Sequence, residues 1–220
     1  MKSILSLAAA TVLSAGVAQA STINPGDFLV ADGSTDLSRG TTESAEVQVY
    51  AEQFGVTVGA GAVTVDFLAA ALAPGAATNG VNDFAGGSAL GAGTYNSFLV
   101  HYDPAGAAAI TDVVIDFGET IVGLILSNSD GSTLLNVSDA IFGSAGTYDD
   151  HLGRRTESAD SFSVDGSVLN LLSLSTNAVH VDNVRVLTQT AAVAPVPIPA
   201  SLPLLLAGLG GVAALRRRKS

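Results

Sequence analysis

Hydrophobic and polar residues alternate with a period of two along most of the chain. Val47, Val49 and Ala51 alternate with Glu46, Gln48 and Tyr50, which predicts a half-buried strand. Val56-Thr57-Val58 and Val63 to Phe67 repeat the pattern across the Gly-rich turn Gly59 to Gly61. Phe28-Leu29-Val30 is a short strand candidate, and Ser97 to Tyr102 forms another that ends at the turn pair Asp103-Pro104. Ala108 to Gly118 places Val113, Ile115 and Phe117 on one face and Asp112, Val114 and Asp116 on the other. Ile121 to Ser127 follows the turn at Gly118-Glu119. Ser161–Val164 and Ser167–Leu174 flank Asp165-Gly166, a strong hairpin dipeptide. Val179 to Leu187 alternates again.

Helical pattern is sparse. Leu68 to Leu72 predicts a short helix stopped by Pro74-Gly75, and Thr133 to Phe142 fits either a strand or a short helix beginning near Ser138. Ala73 to Gly93 and Gly143 to Ala159 read as loops, and Asn128 to Gly131 as a turn. About nine or ten short strands at this turn spacing predict an all-β fold, a jelly-roll-like antiparallel β-sandwich. The chain has no cysteine and no tryptophan, so the Cys–Trp–Cys core of an immunoglobulin-type sandwich is missing. There is also no fixed internal period of the kind a propeller needs.

The two ends break the alternation. Residues 1–20 combine Lys2, an apolar run from Ile4 to about Val17, and the small-x-small site Ala18-Gln19-Ala20, which together predict a signal peptide cleaved by signal peptidase after Ala20. At the other end, Ile198 to Leu215 carries no charge. Eighteen helical residues span about 27 Å, just short of a hydrocarbon core of about 30 Å. Pro203 suits the first turn of a helix, so a hydrophobic helix is expected over 203–215. Arg216, Arg217, Arg218 and Lys219 then predict a membrane orientation with the C-terminus cytoplasmic and everything before it outside.

Val196-Pro197-Ile198-Pro199-Ala200, followed by the apolar run and the basic cluster, resembles the VPLPA-type C-terminal sorting signal, a relative of the PEP-CTERM signals of Gram-negative bacteria. Ile198 stands where the commoner motif has Leu. The resemblance implies that an exosortase-type membrane protease recognises the tail, cleaves near the proline motif and delivers the passenger to the cell surface or extracellular matrix. The expected division is a signal peptide over 1–20, a passenger domain over 21–190, a linker over 191–196 and a sorting signal over 196–220. Gly93 to Pro104 resembles a segment of other exported passengers with such tails. Asp182 to Thr188 is similar to the last strand of many secreted jelly rolls. Neither implies an activity.

Charge narrows the possible partners. All twenty acidic residues lie between Asp27 and Asp182, against Arg39, Arg154, Arg155 and Arg185, a balance of −16 for the passenger. Nucleic acid is a very poor partner for such a surface, because phosphate binding needs clustered cations. Divalent cations, solubility and self-repulsion are the compatible readings. Without cysteine there are no disulfides, zinc–thiolate sites or cysteine nucleophiles.

Candidate chemistry is thin. His101 and Asp103 are two apart on a strand and could form a polar pair, more often a satisfied structural contact; His180 has no ligand pattern near it. The loop Tyr148 to Arg155 gathers Asp149, Asp150, His151, Arg154 and Arg155, with the two arginines read chiefly as neutralising Asp149, Asp150 and Glu157 on a surface. No G-x-S-x-G elbow or H-E-x-x-H helix occurs. Asp32, Asp36 and Asp130 are weak calcium candidates, since neither of their stretches completes a calcium-loop pattern and turn chemistry accounts for both. The expected protein is therefore non-catalytic, exported and surface-sorted, a structural or matrix-associated component linked to exopolysaccharide by analogy with its sorting system. The alternatives are a carbohydrate-binding module, calcium-dependent or not, and a hydrolase using the 149–155 loop. Tyr95, Tyr102 or Tyr148 at a loop mouth beside carboxylates would favour the former. A convergent His–Asp pair in a deep pocket would favour the latter.

Overall fold

A computed structural model describes residues 21–83, 86–127, 133–149, 154–177 and 179–189. The expected signal peptide with Ala18 and Ala20, the tail from 190 to 220 with its proline motif and basic cluster, Asp130, and Asp150 to Gly153 lie outside the described residues. No helix among the described residues is long and apolar enough to cross a membrane.

Among the described residues the chain is an all-β fold with one α-helix. Its strands are β1 (Ser21–Ile23), β2 (Leu29–Val30), β3 (Asp36–Leu37), β4 (Gln48–Val58), β5 (Thr64–Val65), β6 (Phe67–Leu68), β7 (Thr78–Asn79) and β8 (Ser88–Ala89). They continue with β9 (Gly93–Tyr102), β10 (Ala107–Asp116), β11 (Thr120–Leu126), β12 (Thr147–Tyr148), β13 (Ser161–Asp165), β14 (Val168–Asn177) and β15 (Asp182–Gln189). Helix α1 (Leu134–Phe142) lies between β11 and β12.

A five-stranded sheet in the order β1-β10-β14-β13-β7 faces a six-stranded sheet in the order β2-β4-β9-β15-β11-β6. Two small ribbons, β12-β3 and β5-β8, accompany them. The long strands pair antiparallel, whereas β1 joins β10 and β2 joins β4 in parallel. Residues 21–30 thereby line an edge of both sheets. Between β1 and β2, Phe28 sets its ring 5.4 Å from Phe98 and 5.5 Å from Phe117, closing that edge with aromatic contacts.

Alternation directs successive side chains into two different cores. Val100, Val184, Val186 and Leu124 of the larger sheet meet Val113, Ile115, Leu169 and Leu171 of the smaller one between the sheets. Tyr50, Leu99, Ile125 and Leu187 point the other way and pack with Leu135 and Phe142 of α1 and with Leu37 and Val65. Both faces of the six-stranded sheet are therefore covered, which is why β15 is buried at nearly every position despite its alternating sequence.

Several elements differ from the sequence expectation. Gln48–Ala51 and Val56–Val58 belong to one strand, β4, whose register shifts between Ala51 and Gln53 and again between Gln53 and Val56. Gly55 allows this at φ +70°. The helix expected over 68–72 is a single 3-10 turn, Ala69–Ala71. The ambiguous stretch 133–142 is helical from Leu134, because Leu134, Leu135, Ser138, Ile141 and Phe142 fall on one helical face that covers the outer core.

Candidate functional site

Two clusters of buried polar residues lie on opposite faces of β15. On the outer face, Arg185 is fully buried beneath α1. Its Nε and Nη2 donate to Oε2 and Oε1 of Glu52 on β4, each at 2.7 Å, a two-pronged pairing. Nη1 donates to Ser138 Oγ and to the Leu135 carbonyl of α1, and Nη2 also reaches Asp139 Oδ1 at 2.9 Å. Ser97 of β9, the strand between β4 and β15, donates to Glu52 Oε2 at 2.8 Å. Tyr148 donates to Glu52 Oε1 at 2.6 Å, and its oxygen accepts from the backbone N–H groups of Ser144 and Ala145.

Arg154 completes this outer network. Its Nη2 donates to Asp139 Oδ2 at 2.5 Å, and its guanidinium lies 4.9 Å from the Tyr148 ring centre. Burial alone would lower the Arg185 pKa, but the Glu52 and Asp139 carboxylates override it and raise it. Burial lowers that of Arg154, and burial followed by the Glu52 charge pushes the Tyr148 phenol up to about 12. The network joins three neighbouring strands to the helix and to the loop at 144–148. Its chemistry is that of a clamp.

The second cluster lies on the inward side. Asp182 opens β15 opposite Tyr102 of β9 and shares the face of Val184 and Val186. Glu157 and Asp160 belong to the turn before β13, closed by the Asp160 N–H on the Glu157 carbonyl at 3.0 Å. Asp160 Oδ1 accepts from Ser175 N–H and Oγ of β14, and Oδ2 accepts from the Glu157 N–H. The Asn79 amide of β7 donates to the Ser158 and Asp160 carbonyls, both at 2.8 Å. Carboxylate oxygens of Glu157, Asp160 and Asp182 lie within 4.8 Å of one another. Burial raises all three above the usual carboxylate range; for Asp182 the Asp160 and Glu157 charges add to it.

The residues singled out from the sequence separate. His101 is buried on the outer face, with Nδ1 2.6 Å from Asn183 Oδ1 and Nε2 2.8 Å from Thr42 Oγ1. Asp103 accepts the Gly40 N–H at 2.8 Å. His101 and Asp103 thus have separate hydrogen-bond partners. Asp32 accepts from Ser34 and Thr35, and Asp36 from Ser38, both as exposed turn formers. In the 149–155 loop, Asp149 accepts the Arg39 N–H at 2.7 Å. The surface reading of Arg154 is overturned, because Arg154 is fully buried and pairs with Asp139 of the helix. Arg155 does approach Glu157, at 3.9 Å. His180 comes within 3.6 Å of the same carboxylate, a neighbour that its sequence surroundings do not announce. Tyr95 and Tyr102 are buried, and Tyr148 is tied to Glu52.

Glu52, Asp139, Arg185, Asp160 and Asp182 escaped the sequence reading as site residues, and Glu157 entered it only as a surface partner of Arg154 and Arg155. Local sequence carries no signal for Glu52 and Arg185, because β4 also holds Gln48 and Gln53 and β15 also holds Asp182, Asn183 and Gln189. A period-two reading assigns such positions to solvent, and only the helix covering the sheet makes them interior. Protein-family models, curated proteins and solved structures were each compared with the chain, and none matches it significantly.

Proposed function

We propose that the protein is an exported, surface-sorted and non-catalytic β-sandwich that serves as a structural, matrix-associated component of the cell envelope. The observation that carries this reading is the disposition of its charges. Two of the four passenger arginines are sealed beneath α1 with Glu52 and Asp139. Arg39 and Arg155 are left to offset the other eighteen acidic residues. Such a body repels its copies and nucleic acid and suits a hydrated polysaccharide matrix that cations cross-link.

Other observations support the reading. His101, Tyr148 and the paired arginines are committed to bonds that hold strands, helix and loops together, which favours a scaffold over a hydrolase. The strand order supports a jelly-roll wrap. Strands β9, β10, β11 and β13 alternate between the sheets, and β14 and β15 return beside β10 and β9. The tail from Val196 to Lys219 supplies the route to the surface, by its resemblance to exosortase substrates.

The test is delivery. Replacing Arg216, Arg217, Arg218 and Lys219 with Ser removes the charge that sets orientation. Fractionated cells should then hold unprocessed or misplaced protein, and surface delivery equal to that of the parent would contradict the reading.

A further inference from the structure

We propose that Glu157, Asp160 and Asp182 hold a hard divalent cation, calcium before magnesium, at the end of the sandwich where β15 meets the turn leading into β13. The site is independent of the sorting reading, and it is distinct from the exposed turn residues Asp32 and Asp36.

Two observations carry the proposal, and the first is geometric. The three carboxylates present oxygens that all lie within 4.8 Å of one another, close enough for one ion to touch all three. Calcium accepts an irregular set of protein oxygens at about 2.3–2.6 Å, whereas magnesium demands near-ideal octahedral geometry and sheds its water reluctantly. An all-oxygen set also suits calcium or magnesium better than a thiolate- or imidazole-seeking metal.

The second is an orphaned charge. Asp182 is fully buried, and neither of its carboxylate oxygens accepts a hydrogen bond from a donor among the described residues. Both Glu157 oxygens are in the same condition, with only the longer approaches of Arg155 and His180. Buried carboxylates without partners are strongly disfavoured, so an ion or a proton must compensate them. A proton shared between Glu157 and Asp182 is the rival occupant, and burial does hold both groups above the usual carboxylate range. Asp160 differs from the other two. Its carboxylate is fixed by Ser175 on Oδ1 and by the Glu157 N–H on Oδ2, and Oδ2 keeps one acceptor site, a ligand set in place before the ion arrives.

The location gives such an ion a task. Asp182 belongs to the six-stranded sheet, whereas the Asp160 side chain is held by β14 of the five-stranded sheet. A cation between them ties the two layers at the open end of the core, as a disulfide would in a chain that had cysteine.

Purified full-length protein in detergent, stripped with a chelator, tests this by calcium-45 equilibrium dialysis and calorimetry. The expected result is one saturable calcium equivalent, with a Tm rise of roughly 5–10 °C at calcium a hundred times its Kd and a smaller rise with magnesium. Asp182→Asn should abolish both effects, while Asp32→Asn leaves them intact. If Asp182→Asn fails to fold, Glu157→Gln takes its place, since the Glu157 side chain is partly exposed. Calcium binding that survives either triad variant overturns the proposal. So does a parent protein that binds no calcium while Asp182→Asn is more stable than it at neutral pH, which would give the cluster to a proton.

Discussion

Arg185 shows how one side chain can decide whether a sheet face is surface or interior. Its five N–H donors meet Glu52, Asp139, Ser138 and the Leu135 carbonyl, so the charge is tolerated without solvent. Replacing it with Met leaves Glu52 buried and uncompensated, and urea unfolding should report a loss of about 3–5 kcal/mol. A loss below about 1 kcal/mol would mean that water reaches the network. His101 predicts a pH dependence. Burial lowers its pKa, while the Asn183 hydrogen bond and the Asp103 and Asp149 charges oppose that and Arg154 reinforces it. A group whose folded pKa is depressed contributes stability above its unfolded value, about 6.5, and that contribution is lost as pH falls from there toward the folded value. Stability should therefore drop between pH 7 and pH 5 by more in the parent than in His101→Gln; equal drops would exclude His101 as the source. At this scale the sequence was least legible. Arg185 and Asn183 occupy the polar register of an alternating strand, and Asp182 falls within the same predicted strand, Val179 to Leu187, so nothing local distinguishes them from solvent-facing residues.

Elements were read better, because period and turn chemistry are local. Asp165-Gly166 joins β13 to β14 with Gly166 at φ +62°, as its dipeptide predicts. Gly166→Ala places a side chain in that left-handed conformation and should cost about 1–2 kcal/mol by thermal or urea unfolding. Val113, Ile115 and Phe117 share the buried face assigned to them, and Asp112, at φ +60°, sits where that strand's pairing with β14 is interrupted. Misread elements were those whose form depends on distant partners. Strand β4 is continuous because β9 is there to pair with it across two bulges. The sequence at 133–142 becomes helix because an apolar outer face of the sheet needs covering. Ribbon β12-β3 depends on one close approach: a Cβ at Gly146 would fall 2.3 Å from the Gly33 carbonyl oxygen. Gly146→Ala should cost about 1–3 kcal/mol and expose the loop bearing Tyr148 to protease; unchanged stability and cleavage would show that the loop repacks without β12.

At the scale of the whole molecule, a neutral clamp beneath α1 and an acidic cluster between the sheets lie inside a strongly anionic body. This division explains how a chain without cysteine combines a high negative charge with an ordered core: its buried cations lie where they connect layers. The all-β class was legible from turn spacing and alternation. The doubly covered sheet was not, because a single nine-residue helix creates the third layer. The proposed export and surface sorting rest on the sequence at the two ends and are tested there. The most direct measurement is the intact mass and terminal sequence of the native protein recovered from the cell surface. The expected result is a chain beginning at Ser21 and ending near the Val196–Ala200 motif, without Arg216–Lys219. A surface protein retaining Met1 and the basic tail, or one found solely inside the cell, would contradict it.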